Sequence, residues 1–150
     1  MPTLTTDLRT GGSTVSNSTL NVSLPETREL PRTLRPGTNL RLEGAILFVV
    51  ATALFAQTGA SWWLFGLLFF VPDIGLLGYV AGKRTGALTY NLTHGLSVPL
   101  GLALAEHLSD NTLLAAVALV WVAHIGFDRV LGYGLKYPTD FHDTHLQRVA

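Results

Sequence analysis

The sequence predicts an all-α membrane protein, a four-transmembrane-helix antiparallel bundle with a disordered N-terminal tail and a short C-terminal cytoplasmic segment. Hydrophobic residues make up 48% of the 150 positions and charged residues only 13%, which is more apolar than an ordinary soluble domain. From Leu42 onward the apolar runs are long enough to cross a bilayer. The connectors between these runs are so short that consecutive helices must be antiparallel neighbours.

The first 40 residues are rich in Ser, Thr, Gly and Pro and contain no apolar run of signal-peptide length. Such a segment cannot bury enough apolar surface to fold by itself. We therefore expect residues 1–40 to be a disordered cytoplasmic tail. Residues 41–150 are expected to form the four-helix membrane domain with a C-terminal interfacial segment.

Four membrane spans are predicted, at about residues 42–58, 62–82, 86–106 and 112–134. Each is close to the roughly 20 residues that a helix needs to cross a bilayer at about 1.5 Å per residue. Pro72 is expected to break or kink the second span and to free backbone carbonyls near Asp73. Gly75 and Gly78 are small enough for close helix packing, and Pro99 is expected to kink the third span.

Positive charge predicts the orientation, because Lys and Arg accumulate on the cytoplasmic side of membrane proteins. Arginines precede the first span, Lys83 and Arg84 fill the second connector, and Lys136 and Arg148 follow the fourth span. The connectors at the other end carry no Lys or Arg. We therefore expect a multi-pass protein of the cell (inner or plasma) membrane, in contact with membrane lipid and with both termini in the cytoplasm.

The composition also limits the chemistry. There is no cysteine, so any metal would have to be held by His, Asp, Glu or Asn. Lys+Arg and Asp+Glu both number 10, and no basic stripe stands out to bind phosphates of a nucleic acid. A nucleic-acid partner is therefore not expected.

Polar side chains inside the predicted spans are the main functional signal, because ionisable groups are costly in hydrocarbon and usually mark functional sites. Counted from the cytoplasmic ends, these groups lie at similar depths of roughly 9–15 Å. His124 and Asp128 share a helix face, as do Asn91 and His94. The polar residues of the spans are Asp73, Asn91, His94, His124, Asp128 and Arg129.

Imidazole and carboxylate groups at this spacing suit Zn²⁺ or Mn²⁺. The predicted metal ligands are Asp73, His94, His124 and Asp128, with His145 added if the C-terminal segment folds back as a lid over the polar layer. The candidate catalytic residues are Asp73, Asn91 and Arg129. Two alternatives remain open: a structural network in which Arg129 or the histidines pair with the aspartates, and a proton or ion path.

Several short motifs are spread along the chain from Leu42 to the C-terminus. They are Pro72-Asp73, Leu77-Gly78-Tyr79, Tyr90-Asn91 with His94, Ala123-His124-Ile125-Gly126-Phe127-Asp128-Arg129, Gly132-Tyr133-Gly134-Leu135-Lys136-Tyr137, and Asp143-Thr144-His145-Leu146. In these motifs the chain resembles the domain-of-unknown-function 4260 family of small prokaryotic membrane proteins. The resemblance implies an integral membrane protein of a family without an established activity.

A looser similarity is to membrane-bound metal-dependent hydrolase-like proteins. Its elements are Pro72-Asp73, Thr93-His94, and His124 followed by Asp128. Together with the layer of Asp73, His94, His124 and Asp128, it leads us to expect a metal-dependent, hydrolase-like site that opens to the cytoplasm. Its substrate would be a lipid or a small anionic molecule, and Arg129 would hold the anionic group. A small transporter or ion-handling protein and a structural membrane partner without catalysis are the alternatives. The sequence does not predict an oligomeric state.

Overall fold

The computed structural model describes residues 35–149, and this part of the chain is built from helices. The all-α prediction is confirmed. An isolated antiparallel bridge joins Lys136 to Thr144 in the segment after the last long helix. In chain order the elements are α1 (Pro36–Gln57), α2 (Trp62–Phe69), a 3₁₀-helix (Pro72–Ala81), α3 (Lys83–His94), α4 (Ser97–Ser109), α5 (Thr112–Leu131) and the short α6 (His145–Arg148).

Three helical segments are long and apolar enough to cross a membrane: Pro36–Gln57, Trp62–Ala81 and Thr112–Leu131. Large apolar side chains such as Trp63 and Val80 are about nine-tenths exposed on their outer faces. Many large apolar side chains exposed in this way suit a lipid environment better than water. The helices are thus consistent with the expected membrane protein.

α1 packs along α5 at a point where two glycines face each other. A Cβ added to Gly126 would lie 2.7 Å from the carbonyl oxygen of Gly44, and one added to Gly44 would lie 2.8 Å from the carbonyl oxygen of Gly126. The two backbones are therefore as close as glycine alone permits. Small residues at helix crossings are the usual means of close packing in membranes.

The second predicted span is interrupted at Pro72, as expected for a residue that lacks a backbone N–H. α2 ends at Phe69, and the chain continues from Pro72 as a 3₁₀-helix. A 3₁₀-helix of this length is uncommon and often marks a functional segment. It packs against α3, where the Thr89 hydroxyl donates to the carbonyl oxygen of Gly75 at 2.6 Å and where Gly78 leaves no room for a Cβ beside Thr89.

The third predicted span, 86–106, is two shorter helices and not one. α3 ends at His94 and α4 begins at Ser97. Pro99 has no N–H to bond the carbonyl of Gly95, so it is tolerated only in the first turn of a new helix. The break places His94 at the C-terminal end of α3.

The other boundaries shift by a few residues. α1 begins at Pro36, inside the predicted tail and earlier than the expected start at Leu42, and α5 ends at Leu131 and not at residue 134. Proline at the first helical position suits the α1 start, because its ring presets φ for a helix. Gly132 ends α5 in the left-handed conformation at φ 92°. Residues 1–34 of the predicted tail lie outside the described residues.

The two ends of the molecule differ. At one end, the Gly37 N–H of α1 donates to the Val149 carbonyl oxygen at 3.1 Å, and the Lys83 ammonium donates to the Thr139 carbonyl oxygen at 3.3 Å. At the other end, an apolar cluster forms around Phe55. The start of α1, the start of α3 and the C-terminal segment therefore lie at the same end.

Candidate metal centre

Four side chains from three helical segments meet between the spans. Asp73 comes from the first turn of the 3₁₀-helix, His94 is the last residue of α3, and His124 and Asp128 lie one turn apart on α5. The chain breaks at Pro72 and Gly95 direct the first two groups towards α5. The proline and glycine that interrupt the spans therefore also assemble the cluster.

The two imidazoles approach each other through their Nε2 atoms, which lie 3.1 Å apart. Asp73 Oδ1 lies 3.5 Å from the His94 Nε2 and 3.7 Å from the His124 Nε2. Asp128 Oδ2 lies 3.4 Å and 3.8 Å from the same two nitrogens. Nitrogen and carboxylate oxygen atoms thus converge on one small volume.

These separations fit a single divalent ion. Four ligands about 2.1 Å from a tetrahedral centre lie about 3.4 Å from one another. The two histidine Nε2 atoms lie 3.1 Å from each other and 3.4–3.8 Å from a carboxylate oxygen of Asp73 and of Asp128. Asp73, His94 and His124 each offer one ligand atom, and these atoms all lie within 4.8 Å of one another. The donor set is the nitrogen and oxygen chemistry that Zn²⁺ and Mn²⁺ accept.

Hydrogen bonding fixes the orientation of the His94 ring. Its Nδ1 lies 3.0 Å from the carbonyl oxygen of Tyr90, which can only accept a hydrogen bond. Nδ1 therefore carries the hydrogen, and Nε2 presents its lone pair to the cluster. The ring also stacks on Tyr90, with centroids 3.7 Å apart. A backbone carbonyl on the far nitrogen is the usual support of a histidine that binds a metal.

His124 has no comparable support. Its side chain is 3% exposed, and its Nδ1 has no hydrogen-bond partner within the described part of the chain. Phe69 packs against the ring edge-on at 5.2 Å. The polar contacts of this buried imidazole therefore come from the cluster, through Nε2. Its hydrogen-bonding capacity is only partly satisfied, because Nδ1 has no partner in the described region.

The two carboxylates have different surroundings. Asp128 is 17% exposed and accepts a hydrogen bond from the Tyr90 hydroxyl at 3.1 Å. Asp73 is 40% exposed and lines a cavity of about 290 Å³ together with Asp128. Asp73 is therefore the side of the cluster that a molecule in the cavity would reach first.

Lys136 also belongs to this region, although the sequence placed it only among the charges that set the orientation and in a family motif. Its side chain is 6% exposed, and its ammonium lies 3.4 Å from the ring centre of Phe141, 4.3 Å from that of Tyr90 and 5.2 Å from that of Tyr79. Burial lowers the pKa of Lys136, and the negative charges of Asp128 and Asp73 act against that shift. The sequence feature that could have pointed to this role is an isolated lysine in the aromatic run from Tyr133 to Phe141.

Asn91 holds Lys136 in place. Its side-chain nitrogen donates to the Lys136 carbonyl oxygen at 2.9 Å, and the Lys136 N–H donates to its side-chain oxygen at 2.7 Å. Both ends of the amide are therefore engaged with backbone. Asn91 therefore positions the Lys136 backbone, and the catalytic role expected from the sequence stays a prediction.

Arg129 and His145 lie to one side of the cluster. Both line a narrow cavity of about 10 Å³ beside His94 and Asp128, which has room for about one water molecule. The His145 ring packs against Gly134, and its Nδ1 is buried without a hydrogen-bond partner in the described region. His145 is therefore a neighbour of the four converging groups, and Arg129 does not line the larger cavity that Asp73 faces.

The segment after α5 folds back over the cluster. The His145 N–H donates to the Leu135 carbonyl oxygen at 3.0 Å, and the Tyr137 N–H donates to the Asp143 carbonyl oxygen at 2.9 Å. Phe141 and His142 complete the wall of the larger cavity. The segment therefore forms a lid over the cluster.

The family comparison agrees with the resemblance seen in the sequence. No curated protein and no solved structure matches the chain. The family model described as "Domain of unknown function (DUF4260)" matches residues 37–149. This range contains every residue of the cluster and of its lid up to Val149, and the chain belongs to that family.

Proposed function

We propose that this protein is a membrane-embedded, metal-dependent hydrolase whose site is formed by Asp73, His94, His124 and Asp128. The observation that carries the proposal is the convergence of two Nε2 atoms and two carboxylate oxygens at 3.1–3.8 Å. Two carboxylates beside two histidines inside a membrane domain are costly without a cation. A bound Zn²⁺ or Mn²⁺ would neutralise both negative charges.

A divalent ion lowers the pKa of a bound water to about 7 and so supplies a nucleophile at neutral pH. In the proposed reaction, the water oxygen bonds to the electrophilic centre of an ester, and the bond from that centre to the leaving oxygen breaks. Asp73 accepts the proton of the water through its second carboxylate oxygen and passes it to the leaving oxygen. Water and ester are the only reactants, and an acid and an alcohol are the products.

The proposed topology has four crossings, with α3 and α4 together forming the third. It is supported by the contacts of Gly37 with Val149 and of Lys83 with Thr139. These contacts gather the basic residues of the connectors at the end that carries the lid, which the positive-inside rule assigns to the cytoplasm. Reporter fusions after Ala60, Arg84, Ser109 and Ala150 are expected to report outside, inside, outside and inside. A C-terminal reporter outside would contradict a cytoplasmic site.

Hydrolysis by the purified protein in detergent tests the activity. Carboxylic esters and phosphoesters are supplied with Zn²⁺, Mn²⁺ or a chelator. We expect turnover that requires metal and that falls about 10²–10⁴-fold in Asp73→Asn, because this substitution removes the proton acceptor. Asp110→Asn is the matched control, since Asp110 is exposed in the connector before α5. Metal binding without turnover of any ester would reject the hydrolase.

The interrupted second span favours one other function, an ion-handling or transport protein. Broken helices beside a buried carboxylate are a common way for transporters to coordinate an ion, and Asp73 directly follows Pro72 at the break. Uptake of a divalent ion into proteoliposomes distinguishes the two functions. Uptake of the divalent ion without hydrolysis of any ester would support a transport function.

A further inference from the structure

We propose that Lys136 binds the phosphate group of a phosphoester substrate in the cavity that Asp73 faces. The inference rests on the proposed hydrolytic function and names its substrate class. Lys136 lies on the wall of this cavity together with Asp73, Asp128 and Tyr133. It takes over the anion-binding role that the sequence had assigned to Arg129.

The Lys136 side chain is only 6% exposed, and its ammonium has no hydrogen-bond acceptor among residues 35–149. The described contacts of its Nζ are with the faces of Phe141, Tyr90 and Tyr79. Aromatic faces attract a cation but accept its N–H groups only weakly. Burying an ammonium without such a partner is costly. An anionic oxygen in the cavity would supply the missing acceptor.

The ammonium is also held in a fixed place. Asn91 binds both backbone groups of Lys136, and Phe141 is the aromatic ring closest to the ammonium, at 3.4 Å. A flexible surface lysine loses side-chain entropy when it binds an anion. Lys136 has already lost that freedom in the folded chain, and such preorganisation favours binding.

Charge selects the class of ligand. Asp73 and Asp128 together carry two negative charges, which a divalent ion cancels. Lys136 then leaves the cavity with one positive charge in excess. At short range inside a membrane domain this excess strongly favours an anion over a neutral or cationic molecule.

A phosphoester meets both demands of the site, because it is anionic and can be hydrolysed. Its tetrahedral phosphate presents oxygens in several directions, so that one can face the cluster and another the ammonium. Lysine is a frequent phosphate-binding residue. The cavity of about 290 Å³ has apolar and aromatic walls at Leu76, Tyr133 and Phe141, which suit the carbon part of the ester.

The test separates metal binding from phosphate binding. Mn²⁺ and then inorganic phosphate are titrated into the full-length protein in detergent by calorimetry, for the wild type, Lys136→Met and Lys136→Arg. We expect Lys136→Met to bind phosphate about tenfold more weakly or worse, the change that loss of one charge-assisted hydrogen bond produces. Its Mn²⁺ affinity should stay within about threefold, and Lys136→Arg should retain most of the phosphate affinity.

Lys83→Met is the matched control. Lys83 lies at the same end of the molecule, is 63% exposed and pairs with Asp140, so its removal should leave phosphate binding unchanged. Equal phosphate affinities in the wild type and Lys136→Met, with Mn²⁺ binding intact, would overturn the inference alone. Failure of the wild type to bind Mn²⁺ would overturn the proposed function and the inference with it.

A second titration identifies the source of the phosphate. Glycerol phosphate and a short-chain phosphatidic acid are compared in the same wild-type and Lys136→Met proteins. Tighter binding of the phosphatidic acid, lost in Lys136→Met, supports a lipid headgroup. Equal affinities that are both lost in Lys136→Met support a soluble phosphoester. Binding of both ligands that is unaffected by Lys136→Met contradicts the assignment.

Discussion

The Nε2 atoms of His94 and His124 lie 3.1 Å apart, although 30 residues separate the two histidines in the chain. His94 already donates through its Nδ1 to the Tyr90 carbonyl oxygen. Its Nε2 is therefore an acceptor that faces the other histidine and the two carboxylates. A cation bound by the two histidines and the two aspartates is the simplest way to stabilise these lone pairs and negative charges at such short distances.

Asp128→Asn separates a metal site from a structural network. If Asp73 and Asp128 are assembled for an ion, their like charges repel in the metal-free protein. The substitution should then keep or raise the melting temperature without metal and abolish the gain on addition of Zn²⁺ or Mn²⁺. Thermal melting in detergent, with and without metal, measures both effects. Strong destabilisation without metal, and no metal response in either protein, would favour a structural network.

Asn91→Ala should destabilise the lid. The substitution removes the hydrogen bonds to the backbone N–H and carbonyl of Lys136, and we expect it to lower the free energy of unfolding by about 1–3 kcal/mol. Asn39→Ala on the exposed face of α1 is the control. Limited proteolysis should cut the C-terminal segment faster in Asn91→Ala than in the control. Identical cleavage rates would contradict the positioning role.

Gly126→Ala should weaken the contact between α1 and α5. A Cβ at this position would meet the Gly44 carbonyl oxygen and the Phe48 nitrogen, each at 2.7 Å, and backbone atoms cannot move away cheaply. We expect a loss of about 1–3 kcal/mol of stability, as is typical of overpacking. Gly101→Ala in α4 has open space around it and should be neutral or slightly stabilising, because alanine favours a helix. Equal melting temperatures of the two variants would contradict the close crossing.

The lid should respond to acid through Asp143. Hydrogen bonds from Arg148 and Thr139 lower the pKa of Asp143 from 3.8 to about 2. A carboxyl with a lowered pKa in the folded state stabilises that state above its unfolded pKa, and this contribution disappears as the pH falls through the folded value. The melting temperature of Asp143→Asn should therefore lie below that of the wild type at pH 6. The difference should shrink between about pH 4 and pH 2, and a difference independent of pH would contradict this assignment.

Much of the fold follows from local sequence. Apolar length predicted the helical segments, and Pro72 predicted the interruption of the second span. The break after His94 was missed because the apolar pattern continues through Gly95 and Leu96. Pro99 predicted a kink and not two separate helices. The separation is accompanied by a long-range hydrogen bond from the Trp121 indole to the Thr93 carbonyl oxygen at 2.6 Å, which a pattern read along the chain does not contain.

The site was predictable to a similar extent. Ionisable residues in apolar spans pointed to the histidines and aspartates that converge, because their cost in hydrocarbon is independent of the details of packing. The positions of Lys136 and Asn91 depend on how the C-terminal segment returns to α3, which no short-range rule fixes. Arg129 was expected to bind an anion because of its guanidinium chemistry. Sequence alone does not tell that it lines the narrow cavity and that Lys136 lines the larger one, because neighbouring residues on a helix point in different directions.

Metal stoichiometry is the most direct test of the proposed centre. Protein purified in detergent is loaded with Zn²⁺ or Mn²⁺, separated from free ion and assayed for metal. We expect one ion per chain, with affinity lowered about 100-fold or more in His94→Gln and in His124→Gln and unchanged in His107→Gln, whose side chain is exposed on α4. Absence of a stoichiometric ion in the wild type, together with no thermal stabilisation by either metal, would contradict the proposed metal centre.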